Sequence, residues 1–385
     1  MPMNETFLFF GFYGLTPIHA GSGAELSVVD LPIQRERHTG FPTIWGQSLK
    51  GVLRSEFRRK ELLGELNSEC GDWKTSAEKY ILGMSDKESG SMDEAQRKNL
   101  ERYKEDVEKN SRDPPLTEII FGPATTAASE HAGAVSVGDA RVLLFPVRSL
   151  KGVFAYVTCP MVLRRLVEDL KFATREDDSE LQALEKIVRD IESSFEMSVN
   201  SQSDDKIPAF ILGSELRLPE NVAVLEDIEL HNVNTEIKID FETLFDQLKG
   251  LFPGLLTEED LRKRLAIVPD EIFRNFVLLT TEIVARIRIN AKTGTVEKGG
   301  LWYEEFLPAD TVMYSLVAVN NPKVKKNELP DCLNGDNPAG KIAKILQTTF
   351  NSAFLQIGGD ETVGKGFVKV SVAFPEVSID EHENP

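Results

Sequence analysis

FPTIWGQSLKGVLRSEFRRK, residues 41–60, is the stretch on which the fold turns. Ser48 carries a side-chain oxygen able to cap a helix, and Leu49, Val52, Leu53 and Phe57 follow at the spacing of one helical face. Lys50, Arg54 and Arg58 stand four apart, away from that face, and form one cationic stripe. Such a stripe is either a solvated helix face or a track for phosphates. Upstream, Thr6 to Gly14 is rich in Phe, Tyr and Leu and is stopped by Thr16-Pro17, so it reads as an opening strand. The loop Gly21-Ser22-Gly23 lies between the two.

Downstream, Ser48-Leu49-Lys50-Gly51-Val52 recurs as Ser149-Leu150-Lys151-Gly152-Val153, and each copy follows a Phe-Pro pair. The echo allows a shared local role at phosphate, with Lys151 as the second cation, or a shared packing role. Leu116 to Phe121 and Ala134 to Phe145 have strand composition, and Pro160 suits the first turn of a helix through Leu170. Residues 281–306 predict a β-hairpin turning at Asn290 to Gly294. A helix over Ala339 to Phe350, a glycine loop and a strand over Gly366 to Phe374 close the ordered chain. Two segments, 61–112 and 161–275, read as mainly helical insertions, and 376–385 reads as a disordered acidic tail.

The chain has 385 residues and a net charge of −18, which on its face argues against a polyanionic partner. The charge is segregated, however. Leu31 to Lys60 holds seven Lys/Arg against two Asp/Glu, whereas Glu61 to Asn110 holds eight against thirteen. A basic strip inside an acidic protein suits RNA bound in one groove. No apolar run approaches the ~18 residues of a membrane span, and the first residues lack a secretory signal, so a cytoplasmic protein with no membrane partner is expected. Cys70, Cys159 and Cys332 are far apart in sequence, with no CxxC or Cys/His partner nearby, and support neither a disulfide framework nor a zinc site.

Thr16-Pro17, His19, Gly21-Ser22-Gly23, Val29-Asp30, Pro32 to Pro42 and Trp45 to Gly51 together resemble the amino-terminal signature of the backbone-subunit family of the type III-B CRISPR (Cmr) complex, in the RAMP superfamily. The resemblance continues through Phe145 to Gly152, Thr293-Gly294-Thr295, Leu301 to Glu305 and Gly358 to Gly366, but not through Glu61 to Arg112 or Phe172 to Asp270. It implies an α+β fold: an RRM-like (ferredoxin-like) palm over residues 1–375, with the helical insertions, a hairpin thumb and a glycine-rich loop near the carboxyl end. It further implies copies stacked head to tail on a guide (CRISPR) RNA, other Cmr subunits as partners, and endonucleolytic cleavage of single-stranded target RNA at regular intervals. The nucleolytic carboxylate of the family follows Val-Val, which here places it at Asp30.

RNA cleavage needs in-line attack on phosphorus, a base for the nucleophilic oxygen and charge stabilisation at the phosphate. Asp30 suits a divalent metal ion, Mg²⁺ or Mn²⁺, or a general base. Mg²⁺ keeps most of its waters, so one carboxylate plus substrate phosphate suffices. His19 is a neighbour suited to proton transfer, and Glu304 is preferred to Glu305 as a second carboxylate because strand side chains alternate. Trp302 offers a stacking face for a base. Gly358, Gly359, Gly364, Lys365 and Gly366 superficially match a phosphate-binding P-loop, but Gly366 stands where Ser or Thr should hold Mg²⁺, and a strand follows instead of a helix. They read better as a tight loop that brings N–H groups near an RNA backbone. Two other functions remain open at this level: a guide-binding scaffold that does not cut, and an unrelated phosphate-binding enzyme.

Overall fold

TFLFFGFYG, Thr6–Gly14, is an almost wholly buried strand, β1. Near-continuous burial replaces alternation because both faces of the strand are covered. The computed structural model describes residues 5–24, 28–66, 70–83, 92–124, 129–174, 179–201 and 206–375, so the expected tail at 376–385 lies outside the described residues. After β1 the elements are β2 Thr43–Ile44, α1 Gly46–Leu63, α2 Trp73–Leu82, α3 Glu94–Glu108, α4 Pro115–Phe121, β3 Val135–Val137, β4 Ala140–Arg148, β5 Phe154–Thr158, α5 Pro160–Thr174, α6 Ser179–Ser201, β6 Ile207–Ile211, β7 Val222–Leu225, β8 Ile228–Asn232, α7 Phe241–Leu251, α8 Glu258–Arg264, β9 Leu265–Ile267, α9 Asp270–Leu279, β10 Glu282–Ile289, β11 Val296–Phe306, β12 Val312–Val319, α10 Pro338–Phe350, β13 Phe354–Gln356 and β14 Phe367–Ala373. The fold is α+β. Among the described residues no helix is long and apolar enough to cross a membrane.

The chain forms two compact units. The first comprises Met1–Leu8, Gly46–Gly138 and Leu316–Ala353. Its centre is α1, whose Leu49, Leu53 and Phe57 are buried, with the Phe57 ring 5.6 Å from that of Phe121 and 6.4 Å from that of Phe350. The helix begins at Gly46, so Ser48 lies inside it and caps nothing. A Cβ at residue 46 would stand 2.3 Å from the Val137 carbonyl oxygen, and only glycine permits that approach. Leu116 to Phe121 is a helix, not the expected strand. A six-residue apolar run is ambiguous by itself. Pro115 opens α4, and the Glu61 carboxylate accepts from Leu116 N at 2.9 Å, Thr117 N at 2.8 Å and Thr117 Oγ1 at 2.7 Å, which satisfies first-turn donors from a distant part of the chain.

The second unit comprises Phe9–Trp45, Asp139–Ser315 and Phe354–Pro385. Its large mixed sheet runs β13-β14-β1-β12-β4-β5-β9-β6-β8-β7, with β2 against β4. The pairs β5–β9 and β6–β8 are parallel, whereas β1–β14, β4–β5 and β4–β12 are antiparallel. The segment 161–275 supplies α6–α8, the first six residues of α9 and all but the first residue of α5, and also strands β6–β9, which carry the sheet beyond β5. Strands β10 and β11 form a separate antiparallel hairpin, closed where Gly294 N donates to Asn290 O at 2.9 Å. The base of this hairpin carries the candidate site.

Candidate active site

The residues at the base of the hairpin and those that dock on it lie in the second unit. The register of the hairpin sets Arg286 opposite Trp302 and Val284 opposite Glu304, so Arg286, Trp302 and Glu304 share one face. Glu304 is 5% exposed. Its Oε2 accepts from Arg286 at 3.0 Å and its Oε1 from Trp302 Nε1 at 2.6 Å. Glu305 is also buried, at 6% exposed: its Oε1 meets Arg35 at 2.5 Å and Thr281 Oγ1 at 2.8 Å, while its Oε2 accepts from Ile33 N at 3.1 Å. Alternation would expose one of the two glutamates. Both are covered because the segment 31–35 docks alongside the end of β11, with Leu31 bridged to Glu304.

That docking places Asp30. Leu31 N donates to Tyr303 O at 3.1 Å, Glu305 N donates to Leu31 O at 3.0 Å, and Tyr303 N donates to Asp30 Oδ2 at 2.8 Å. Asp30 is half-buried, and among the described residues its Oδ1 receives no donor. His19 is fixed to the same strand. Its Nδ1 lies 2.7 Å from the carbonyl oxygen of Glu305, which can only accept, so Nδ1 carries the proton and Nε2 is the basic nitrogen of the neutral ring. Nε2 lies over Gly21, where a Cβ would come within 2.8 Å. Asp30 and His19 are eleven residues apart in sequence but are held by backbone atoms of Tyr303 and Glu305 on one strand.

The glycine loop is fastened to the residues around His19. Gly359 N donates to His19 O and Gly366 N to Pro17 O, both at 2.9 Å. A Cβ at Gly358, where φ is +87°, would stand 2.2 Å from His19 O. The N–H groups of Val363, Gly364 and Lys365 also bond within the loop. The expected presentation of loop N–H groups to RNA is therefore corrected for residues 359 and 363–366, whose donors are used inside the protein. What the loop brings to the hairpin is charge. Asp360 Oδ2 lies 3.4 Å from Arg286, and Lys365 Nζ lies 5.1 Å over the Phe306 ring. Burial pushes the Glu282 carboxyl up, and the Lys365 charge opposes that shift. Trp302 is half-buried with its N–H on Glu304, while Tyr303 is 40% exposed.

The donor set limits what metal could be held. Among the described residues no three His, Cys, Asp or Glu side chains gather to hold an ion. All four oxygens of Glu304 and Glu305 are occupied by donors, so Glu304 is a positioning residue in this geometry. Of the carboxylates Asp30, Glu304 and Glu305, only Asp30 has an oxygen that receives no donor among the described residues. This fits a largely hydrated Mg²⁺ or Mn²⁺ that takes one carboxylate and substrate phosphate, and does not make a dedicated cage.

The basic stripe, in the first unit, is not a bare track. Arg54 and Arg58 both bond Asp113, Lys50 Nζ donates to Val135 O at 3.2 Å, and Lys60 Nζ donates to Thr349 O at 2.8 Å. Desolvation, followed by the charge of Arg54, lowers the Lys50 pKa. The strip counted as +5 in sequence is thus largely spent on packing, because its acidic partner, Asp113, lies 55 to 59 residues away, just past the 61–112 segment. Lys151, in the second unit, is exposed on a turn, with Nζ 2.6 Å from Arg217 O. Sequence reasoning gave no role to Arg35, Arg286, Glu305 or Asp360 as positioners. Arg35, Glu305 and Asp360 lie in the quoted motifs, but their partners are set only by folding.

The RAMP superfamily model matches residues 12–369. The CRISPR system Cmr endoribonuclease Cmr4 of Pyrococcus furiosus is 41% identical over 362 residues, 94% of each chain, and the Cmr4 subunit of Saccharolobus solfataricus is 24% identical with the same coverage. Among solved structures, oligomeric Cmr4 from Pyrococcus furiosus superposes with a TM-score of 0.57 at 31% identity, covering 96% of this chain and 98% of the other. A chain of the type III-B Cmr-beta complex bound to cognate target RNA shares the fold, with a TM-score of 0.60 at 20% identity over 96% of this chain and 98% of that one. The α+β sheet, the hairpin base that holds Asp30 and these likenesses converge: the chain belongs to the RAMP superfamily and, within it, to the Cmr4 family of type III-B CRISPR subunits.

Proposed function

We propose that this protein is the repeating backbone subunit of an RNA-guided type III-B complex and that it cuts target RNA with Asp30. The observation that carries the reading is the docking of the 30–35 segment on β11. It fixes one oxygen of Asp30 on Tyr303 N and leaves the other uncommitted beside a hairpin that bears Arg286 and Trp302. In this reading the mixed sheet is an RRM-like palm, β10–β11 is its thumb, and 61–112 and 161–275 are insertions upon it. Guide RNA runs along head-to-tail copies in the cytoplasm, with other Cmr subunits as partners, and single-stranded target pairs with the guide.

Asp30 Oδ1 orients the attacking oxygen and the reacting phosphate, and His19 Nε2 accepts the proton of that oxygen. Glu305 holds His19 through its carbonyl oxygen and the 31–35 segment through its N–H and its carboxylate, while Tyr303 N holds Asp30. Lys365 and Lys151 supply phosphate contacts. A divalent cation, Mg²⁺ or Mn²⁺, when bound at Asp30, supplies charge stabilisation at the phosphoryl oxygens.

The test is a single labelled target incubated with the guide-loaded assembly. Evenly spaced products that require divalent cation are expected, since each copy places its own Asp30. Asp30→Ala should keep assembly and guide binding but lower cutting by about 10²-fold or more at every position. Undiminished cutting by Asp30→Ala removes the assignment and leaves the scaffold reading.

A further inference from the structure

In the second unit, the end of the sheet beside the glycine loop carries two bare aromatic rings. Phe354 on β13 and Phe367 on β14 are 66% and 40% exposed, although their strand neighbours Leu355 and Val368 are buried. The register sets Phe354 opposite Lys369 and Gln356 opposite Phe367, and sets Lys369 in turn opposite Tyr13 of β1. Residues two apart on a strand share a face, so Phe354, Gln356, Phe367, Lys369 and Tyr13 lie on one, with the two phenylalanines in diagonal positions ~7–8 Å apart. Neither ring stacks on another ring among the described residues. Further along the same face the sheet is covered. A Cβ at Gly11 would stand 2.5 Å from the Phe252 ring, and Lys369 Nζ donates to Gly254 O at 2.9 Å. Beyond Lys369 the two rings stand bare.

Composition and continuity favour a nucleic acid over a protein as the occupant. The five positions hold aromatic rings, an amide and a lysine but no carboxylate, in a chain of net charge −18. Asp310, the carboxylate that meets them, accepts from the Tyr13 hydroxyl. The patch is also tied to the strand segment that leads to His19: Phe367 N donates to Thr16 Oγ1 at 3.0 Å, Leu15 N to Phe367 O at 2.8 Å and Gly366 N to Pro17 O at 2.9 Å. Four residues of chain, Leu15 to His19, span at most ~14 Å, so an RNA strand at His19 reaches the rings within a few nucleotides. We propose that Phe354 and Phe367 are a stacking platform for unpaired bases of the RNA strand whose phosphate lies at Asp30 and His19. The proposal rests on the reading of that site as one that holds RNA. Every base has a π-face, so the platform is indifferent to sequence, and its contribution is not ionic, unlike that of Lys365.

The test uses the full chain and a short single-stranded RNA carrying 5-iodouridine, which photo-crosslinks to aromatic rings stacked on it, with chelator present so that nothing is cut. Peptide mapping of the parent should place crosslinks at Phe354 and Phe367. Replacing both by leucine keeps the apolar bulk but removes the ring faces; it should abolish those crosslinks and weaken binding about tenfold or more, with the salt dependence unchanged. Replacing both by tyrosine keeps the faces and should restore crosslinking and affinity. Both positions are exposed, so unfolding midpoints should match the parent's and report on folding separately. Crosslinks that map elsewhere, or a leucine variant that binds like the parent, would overturn the proposal. A leucine variant that binds RNA normally but changes the oligomeric state would do so too, by making the face a protein interface. Undiminished cutting by Asp30→Ala with the crosslinks in place removes the Asp30 reading alone, whereas lost cutting by Asp30→Ala with no crosslink at either ring removes the platform alone.

Discussion

The pentapeptide Ser-Leu-Lys-Gly-Val occurs twice, and its two copies fold differently. Residues 48–52 are interior turns of helix α1, with Leu49 buried. Residues 149–153 form a tight turn in which Ser149 N donates to Val153 O at 2.9 Å, Gly152 has φ +80° and Val153, a β-branched residue, has φ +72°. Leu150 and Val153, the apolar residues of the turn copy, are 72% and 76% exposed. Local preference was equal in the two places, so surroundings decided. In the first copy Phe57 and the buried Glu61 extend the helix into a packed core. In the second, the turn is pinned by Leu150 N donating to Val224 O. The lysines diverge in the same way: Lys50 is half-buried on a carbonyl, and Lys151 stands at the surface. A shared phosphate role for the two copies does not survive this difference, because only Lys151 stands exposed.

The contrast can be attacked at its strongest anchor. Glu61 is buried, and desolvation raises its pKa to about 7 despite the donors of Leu116 and Thr117. The folded state then binds a proton more tightly than the unfolded state, so stability is greatest below about pH 4.5 for this group and is lost as pH rises toward 7. The loss is roughly 3 kcal/mol across that window. Denaturant titrations of the parent at pH 5 and pH 7 should show the decline, and Glu61→Gln should flatten it. An equal slope in both proteins would mean that another group governs it.

Alanine at the shared glycine should act with opposite sign in the two copies. Gly152→Ala puts a Cβ 2.9 Å from the Glu215 carbonyl oxygen at positive φ and should cost about 2 kcal/mol. Gly51→Ala has nothing within 4 Å and sits in a helix, where it should stabilise by about 1 kcal/mol. Chemical unfolding midpoints measure both, and effects of the same sign would break the comparison. Asp113→Asn should cost about 1 kcal/mol by leaving Arg54 and Arg58 without their carboxylate, a modest figure because both guanidinium groups are partly exposed. Should guide affinity fall as well, the stripe binds RNA after all. The smallest effect on folding is expected at Lys151→Ala, within about 0.5 kcal/mol. Its signature should be in RNA binding, where the salt dependence loses about one unit of slope for every guide sequence alike.

Elements with a local signal were legible. The aromatic run of β1, the Pro160 start of α5 and the periodic helix ending at Phe350 stand where the sequence puts them, because short-range pattern and burial agree there. α4 was misread since its helical state depends on Glu61, more than fifty residues earlier. The stripe of Arg54 and Arg58 was read correctly as a stripe and incompletely as a surface, since the acid that meets it is Asp113. Asp30 has no local mark at all, and only the family resemblance singles it out as a candidate. Its surroundings were out of reach in the same way, because Tyr303, Glu305 and the glycine loop approach from the far end of the chain.

By itself the sequence determined the helix and strand periods, the hairpin turn, the family and the residues from which a site could be drawn, all of which depend on neighbours within a few positions or on a motif read as a string. Tertiary structure alone decided which charges are spent and which remain. A carboxylate or guanidinium becomes a structural anchor or a usable group according to what lies within about 3 Å of it, and in this chain such partners are 270 residues away for Glu305 and 273 for Asp30, while Glu304 adds Arg286, 18 residues away, to Trp302 on its own strand.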